Sequence, residues 1–216
     1  MSMTNTPVWR RNAGGVLGAL IGIAVVGAVT RLLMAGAPTL APAGTPWLIA
    51  PLGASAVILF LLPASPLAQP WPAFASQLIA AAVGLASARS GLEAPLSAGL
   101  AVGASCALML VARALHPPAG GTAVLMALAG PPILHAGWMF LLAPVALNCG
   151  LLVLAALAWN RLTGHQYPHH PHPQPLPAGP TLADFQAVLD DWEDNLDISA
   201  EDLLALTRAA TARARG

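Results

Sequence analysis

The residues whose chemistry stands out are His116, Pro117, Pro118, Gly120, Gly121 and Thr122, which interrupt an otherwise almost continuous apolar chain. Two prolines cannot sit inside a regular helix, because they lack the N–H and clash with the preceding turn. They can open one, where the first-turn donors have no helical partner anyway. The sequence therefore predicts a break at His116 and a new helix from about Pro118 that ends before Gly130-Pro131-Pro132. At about a dozen residues it is roughly 18 Å long, short of the ~20 residues a lipid span needs.

The same device stands earlier in the chain. Pro51-Leu52-Gly53-Ala54-Ser55-Ala56-Val57 aligns with Pro118-Ala119-Gly120-Gly121-Thr122-Ala123-Val124 at an offset of 118 − 51 = 67, which also carries Trp71 onto Trp138. A matched pair of Pro/Gly-interrupted apolar segments is a pointer to a transporter's binding site. Half-helix N-termini turn free N–H groups and positive dipole ends toward what they face. Gly53, Gly120 and Gly121 let an ion approach the backbone. Ser55 and Thr122 add hydroxyls at matched positions, Arg113 and His116 add positive potential, and Asn148 is a polar residue inside the last span. Glu93 is the only acidic residue between positions 12 and 180. Cation pathways use intramembrane carboxylates or carbonyl cages, so the expected solute is an anion or neutral.

The elements that must position these residues follow from composition. Of 216 residues, 56% are hydrophobic and 8% charged, against about 25% charged in a soluble domain. The expected fold is an all-α membrane protein: four full transmembrane helices plus two short half-helices, with an internal two-fold repeat. The long segments run from Ala13 to about Ala37, Pro72 to Ala88, Ala94 to about Leu115 and Trp138 to Asn160. If the short segments re-enter, four spans result. If they cross, the arrangement is a six-span, three-plus-three inverted repeat. Either way Arg10, Arg11, Arg161 and one of Arg89 or Arg113 share a side, so the excess of positive charge on the inner side does not choose. Both arrangements predict cytoplasmic termini, in a bacterial inner membrane.

The link Pro63–Trp71 has no charge and three prolines before Trp71, at Pro63, Pro66 and Pro70. That suits non-helical backbone packed within protein at membrane depth. Gly99-x-x-x-Gly103 is a spacing that lets membrane helices approach, and with the C-terminal helices it offers a homo-oligomer contact. Cys106 and Cys149 lie in apolar segments and read as packing residues. Residues 1–12 form a cytoplasmic N-terminus, 13–163 the transmembrane region, 164–180 a His/Pro-rich linker and 181–216 a cytoplasmic two-helix tail. The histidines of the linker are separated by prolines that favour extended chain, so no metal site is expected. Thr181 with Asp184, and Ser199 with Asp202, mark helix starts. The first tail helix carries the apolar stripe Phe185, Val188, Leu189 and Trp192. Cutting after Arg161 removes no apolar span and is expected to leave the core folded.

Several stretches together resemble the HPP family of integral membrane proteins: Pro51–Phe60 (PLGASAVILF), Pro63–Trp71 (PASPLAQPW), His116–Leu128 (HPPAGGTAVLMAL) and Pro144–Pro168, which includes Asn160-Arg161-Leu162-Thr163-Gly164 and Tyr167-Pro168. The similarity spans about residues 10–168. Relatives often show a Gly-Gly-Asn or similar turn after Trp71, where this chain has Ala75-Ser76-Gln77. Some members continue into paired cystathionine-β-synthase regulatory domains. The tail from Asp184 to Leu206 resembles their connecting segment. Members in chloroplasts and cyanobacteria are linked to nitrite transport, so the resemblance implies a transporter or channel for a small anion such as nitrite.

The alternative is a non-transporting scaffold or sensor whose tail recruits a partner, with the HPP stretch a packing kink. An enzyme is not expected: no clustered nucleophile–base pair, HExxH or phosphate loop is visible, although His116 has the chemistry of a proton shuttle. No cofactor and no nucleic-acid partner are expected.

Overall fold

A computed structural model describes residues 12–37, 44–169, 181–191 and 198–215. The described chain is helical. Four helices are long and apolar enough to cross a membrane, α1 (Ala13–Ala35), α3 (Pro70–Ala88), α4 (Ala94–Val111) and the segment Leu141–Leu162. The last is broken at Ala143 (φ −135°, ψ 115°), just before Pro144, and continues as α7 (Leu147–Leu162). The short helices are α2 (Leu52–Leu61) and α5 (Pro118–Ala127). A six-residue helix, α6 (Pro131–Ala136), which the sequence reading missed, follows α5. The tail holds α8 (Leu182–Asp191) and α9 (Ala200–Arg215), which pack on each other. Trp192 falls outside the described residues, as do Arg10, Arg11 and linker residues 170–180.

Contacts at helix ends fix the direction of each pass. Trp159 Nε1 donates to Gly14 O (3.0 Å) and Asn148 Nδ2 to Thr30 Oγ1 (2.9 Å), so α1 and α7 are antiparallel. Ile49 N donates to Asn148 Oδ1 (3.0 Å) and Asn160 Nδ2 to Leu59 O (3.1 Å), so α2 runs with α7. Tyr167 OH, beyond the end of α7, donates to Ala68 O just before α3 (2.7 Å), while Arg89, at the end of α3, lies over Trp138 at 5.7 Å. Hence α3 opposes α7. Trp71 Nε1 donates to Ala112 O (3.1 Å) and Ser87 Oγ to Ser97 O (2.8 Å), so α4 opposes α3. Gly84 lies against Ala123 and Ala127 while Gln77 meets Thr122, so α5 runs with α3. Direction thus reverses from each of these helices to the next. The two short helices, ten residues each, thus run opposite to the long helices that precede and follow them, while four helices are long and apolar enough to cross a membrane.

Two contacts draw the bundle tight. A Cβ at Gly84 would stand 2.6 Å from both Ala123 O and Met126 Cβ, so only glycine lets α3 and α5 meet. The ring of Phe60 lies against Gly18 and Gly22 of α1, closer than a Cβ at either would permit. That working pair has the four-residue spacing of small-residue helix contacts. Gly99 and Gly103, the pair singled out from sequence, are exposed and meet nothing within 4 Å.

The uncharged link is buried at Pro63, Ala64, Ser65 and Ala68. It is pinned by Gln69 Nε2, which donates to Pro63 O (3.1 Å) and Ser65 O (2.8 Å). His169 N donates to Gln69 Oε1 (2.9 Å). The segment after α7 is thereby tied to the bundle through Tyr167 and His169. A cut after Arg161 would remove both ties, so the boundary of the packed region lies near His169. In the tail, Thr181 and Asp184 form the expected reciprocal cap (Thr181 N to Asp184 Oδ2, 2.8 Å), and Ser199 Oγ accepts from Asp202 N (3.1 Å).

Candidate functional site

The site is built where the leading halves of α2 and α5 cross inside the bundle beside α3. Helix α4 ends at Val111, short of the expected Leu115, because Arg113 takes a left-handed φ of 51°. Ala114 N then donates back to Met109 O (2.8 Å). Non-helical backbone follows, with Ala114 and His116 buried and Arg113, Leu115 and Pro117 exposed. This alternation drives the imidazole into the bundle and the guanidinium of Arg113 out of it. Arg113 is therefore not part of the buried site.

At the half-helix starts the expected free N–H groups are not there. Leu52 N and Gly53 N donate to Ile49 O and Ala50 O (3.1 Å each). Pro117 and Pro118 have no N–H, and Ala119 N and Gly120 N donate to His116 O and Pro117 O (3.0 Å each). The site offers side chains instead.

Those side chains form one directional chain. Leu67 O can only accept, so His116 Nδ1, 2.8 Å away, carries the hydrogen. In the neutral ring Nε2 then accepts, from Ser55 Oγ at 2.9 Å. Ser55 Oγ in turn accepts from Gln77 Nε2 (3.1 Å), and Gln77 Oε1 accepts from Thr122 Oγ1. Donation runs Thr122 to Gln77 to Ser55 to His116 to Leu67 O. His116, Gln77 and Thr122 are fully buried and Ser55 nearly so. Two further hydroxyls, Ser76 Oγ and Ser105 Oγ, are buried with no partner.

The structure thus brings together Ser55, His116 and Thr122, with Gln77 joining the two half-helices. Pro118 is buried. Pro51 packs on Gly121, where an added Cβ would meet Pro51 Cγ at 3.2 Å. Gly121 is helical and not at positive φ, so that approach is what its missing side chain serves. Gly53 and Gly121 are exposed and Gly120 is half-buried. Added Cβ atoms at Gly53 and Gly120 would meet open space. Asn148 stands apart from the chain. It clamps the segment leading into α2, through Ile49 N, Thr30 Oγ1 and Trp47 O.

Sequence reasoning missed Gln77 and Leu67. Gln77 had a signal, an amide inside an apolar helix, where polar groups are expensive. A backbone acceptor such as Leu67 O leaves no trace in residue type. The Ser55–His116 pair is likewise invisible in a chain where the two lie 61 positions apart. Among the described residues, no three His, Cys, Asp or Glu side chains gather to hold a metal ion.

Residues 4–168 match the family model described as HPP, transmembrane region. The chain belongs to the HPP family. It is a multi-pass membrane protein whose two half-helices and polar chain lie wholly within the matched HPP region. Similar proteins include two transmembrane proteins of Dictyostelium discoideum. One is 35% identical over 117 residues, 52% of this chain and 41% of the relative. The other is 30% identical over 120 residues, 54% of this chain and 38% of the relative. The aligned part of this HPP chain thus spans about two fifths of each relative's length. No solved structure matches the chain.

Proposed function

We propose that this HPP protein is a membrane transporter or channel for a small anion, nitrite being the first solute to test. The observation that carries the reading is the buried chain Thr122–Gln77–Ser55–His116, which joins two antiparallel interrupted helices inside the bundle. Broken helices at membrane depth are tolerated where they are buried or line a cavity, and paired ones flank transporter sites. Polar side chains there are costly in lipid and mark solute routes. The anion preference rests on charge. Glu93 is exposed and is the only carboxylate between residues 12 and 180, while Ser76 and Ser105 hold buried hydroxyls with no acceptor.

We read the six alternating helices as six passes. Arg113 and Arg161 then share the face where α1 begins, just after Arg10 and Arg11 in sequence, and Arg31 and Arg89 fall at the other, so the first face is cytoplasmic in our reading. We read the protein as a transporter rather than an enzyme, although Ser55 and His116 stand at nucleophile–base distance. Ser55 Oγ already accepts from Gln77 and donates to His116 Nε2, and the ring is held at Nδ1 by a backbone carbonyl rather than by a carboxylate. Uptake of nitrite into vesicles holding the purified protein tests the reading: flux well above that of protein-free vesicles supports it, and equal flux removes it.

A further inference from the structure

We propose that the anion crosses together with a proton, and that His116 Nε2 is the atom that carries it. This rests on the transport reading above and adds a second substrate to the same site.

The argument starts from the direction of the hydrogen bonds. Leu67 O holds the Nδ1 hydrogen in place, so the free basic atom of the ring is Nε2, turned toward Ser55. A proton arriving at Nε2 makes both ring nitrogens donors. Ser55 Oγ must then accept from the ring as well as from Gln77 Nε2, and its own hydrogen loses its acceptor. Protonation therefore creates two things at one place, a buried positive charge and a hydroxyl hydrogen free to turn to a new acceptor, an anion or the carbonyl one turn back.

Among the described residues, no side chain in the polar chain from Thr122 to His116 carries a charge, and the Tyr167 OH is already committed to Ala68 O beside Leu67. Half-helix α2, the link Pro63–Gln69 and helix α3 carry no titratable side chain up to Ala88. Helix α5 carries none, and α4 contributes only Cys106, which is half-buried. Arg113, three residues before His116, is exposed and cationic, and Glu93 is exposed at the opposite end of α4. An isolated charge in such surroundings is strongly disfavoured. An anion beside Ser55 and His116 supplies both the counter-charge and the acceptor. Equally, an anion alone would lie buried without a cation. Each species makes the site fit for the other, which is a positive coupling between two ligands. Gly53 and Gly120 stand two residues before Ser55 and Thr122 on the same half-helices, and an added Cβ at either would meet open space. The proton enters the Nε2 lone pair, leaves by the same atom on the far side, and no other bond is made or broken. One proton with one monovalent anion moves no net charge.

The experiment uses the full chain in vesicles with the membrane potential clamped by potassium and valinomycin, nitrite as the probe, and a lumenal pH dye. Protein-free vesicles give the leak of the undissociated acid. With the outside more acidic by about one unit, coupled uptake and the leak share one end point, nitrite concentrated about tenfold, since 1.4 kcal/mol is a factor of ten, so the protein is read in the initial rate, which should run well above the leak. The lumen should acidify in step, and changing the clamped potential should leave the protein-dependent rate unmoved. His116→Gln, inserted to the same level, should bring the rate down to that of protein-free vesicles. Nitrite uptake that follows the potential without acidification overturns the coupling while leaving the transport reading intact. Proton-coupled uptake faster than the leak that survives in His116→Gln overturns the assignment of the carrier atom. No protein-dependent nitrite flux in the parent overturns both readings.

Discussion

Replacing Gln77 by Leu asks how much of the bundle's stability runs through the polar chain. Gln77 is fully buried, donates to Ser55 Oγ at 3.1 Å and accepts from Thr122 Oγ1. Leucine fills much of the same volume but makes neither bond. Two lost bonds cost about 0.5–1.5 kcal/mol each, and a buried donor left without an acceptor about 1–3 kcal/mol. Thr122 can turn its hydroxyl to the carbonyl one turn back, which moves the expectation to the lower half, about 2–4 kcal/mol. Thr122→Val alone removes one bond and strands Gln77 Oε1, at about 1–3 kcal/mol. In the double variant neither partner is stranded, so the combined loss should fall short of the sum by about 1–3 kcal/mol. Unfolding of the detergent-solubilised protein by added denaturing detergent measures all four corners of the cycle. Losses that add to within about 0.5 kcal/mol, the agreement expected of independent sites, would show that Gln77 and Thr122 do not act on one another.

Three further outcomes follow from the packing. Gly84→Ala places a Cβ 2.6 Å from Ala123 O and Met126 Cβ, so it should force α3 and α5 apart and lower stability by about 1–3 kcal/mol, whereas Gly99→Ala, with nothing within 4 Å, should leave the thermal midpoint unmoved. Asn148→Leu strands Ile49 N–H and loses the bonds to Thr30 and Trp47; at about 1–3 kcal/mol for the stranded donor alone, it should be among the most damaging polar changes, read as loss of correctly inserted protein. Burial holds the Tyr167 phenol above its usual value of 10.0. The folded state therefore keeps a proton that the unfolded state loses. This stability is intact below pH 10.0 and falls as pH rises beyond it, and Tyr167→Phe should flatten that alkaline limb of the unfolding midpoint.

Much of the architecture is legible in residue order. Long apolar runs fix the four long helices, and Pro-Gly breaks fix the two short ones. The caps at Thr181 and Ser199 sit where the side-chain chemistry places them. Passage of the short segments was not legible, because both topologies divide the arginines equally. It took contacts between distant residues, Tyr167 with Ala68 and Asn160 with Leu59, to decide direction. The end of α4 was misjudged because its sequence stays apolar through Leu115, while the helix is stopped by backbone conformation at Arg113. Ser55, His116 and Thr122 were legible as polar residues at helix breaks. Their joining through Gln77 was not, since nothing in residue type says which face of α3 meets both half-helices. Asn148 shows the converse: a polar residue within a span whose bonds hold the fold and not the site.

The central claim is that the two half-helices form one solute site, and nitrite flux through Ser55→Ala and Thr122→Val vesicles, at matched insertion, tests it most directly. Each variant deletes one hydroxyl of the chain, a loss of about 0.5–1.5 kcal/mol, or about two- to tenfold in rate. The account predicts that both slow protein-dependent flux to a similar degree without abolishing it. Parent flux that both variants retain in full would contradict it, and would make the polar chain a packing device rather than a place where the solute binds.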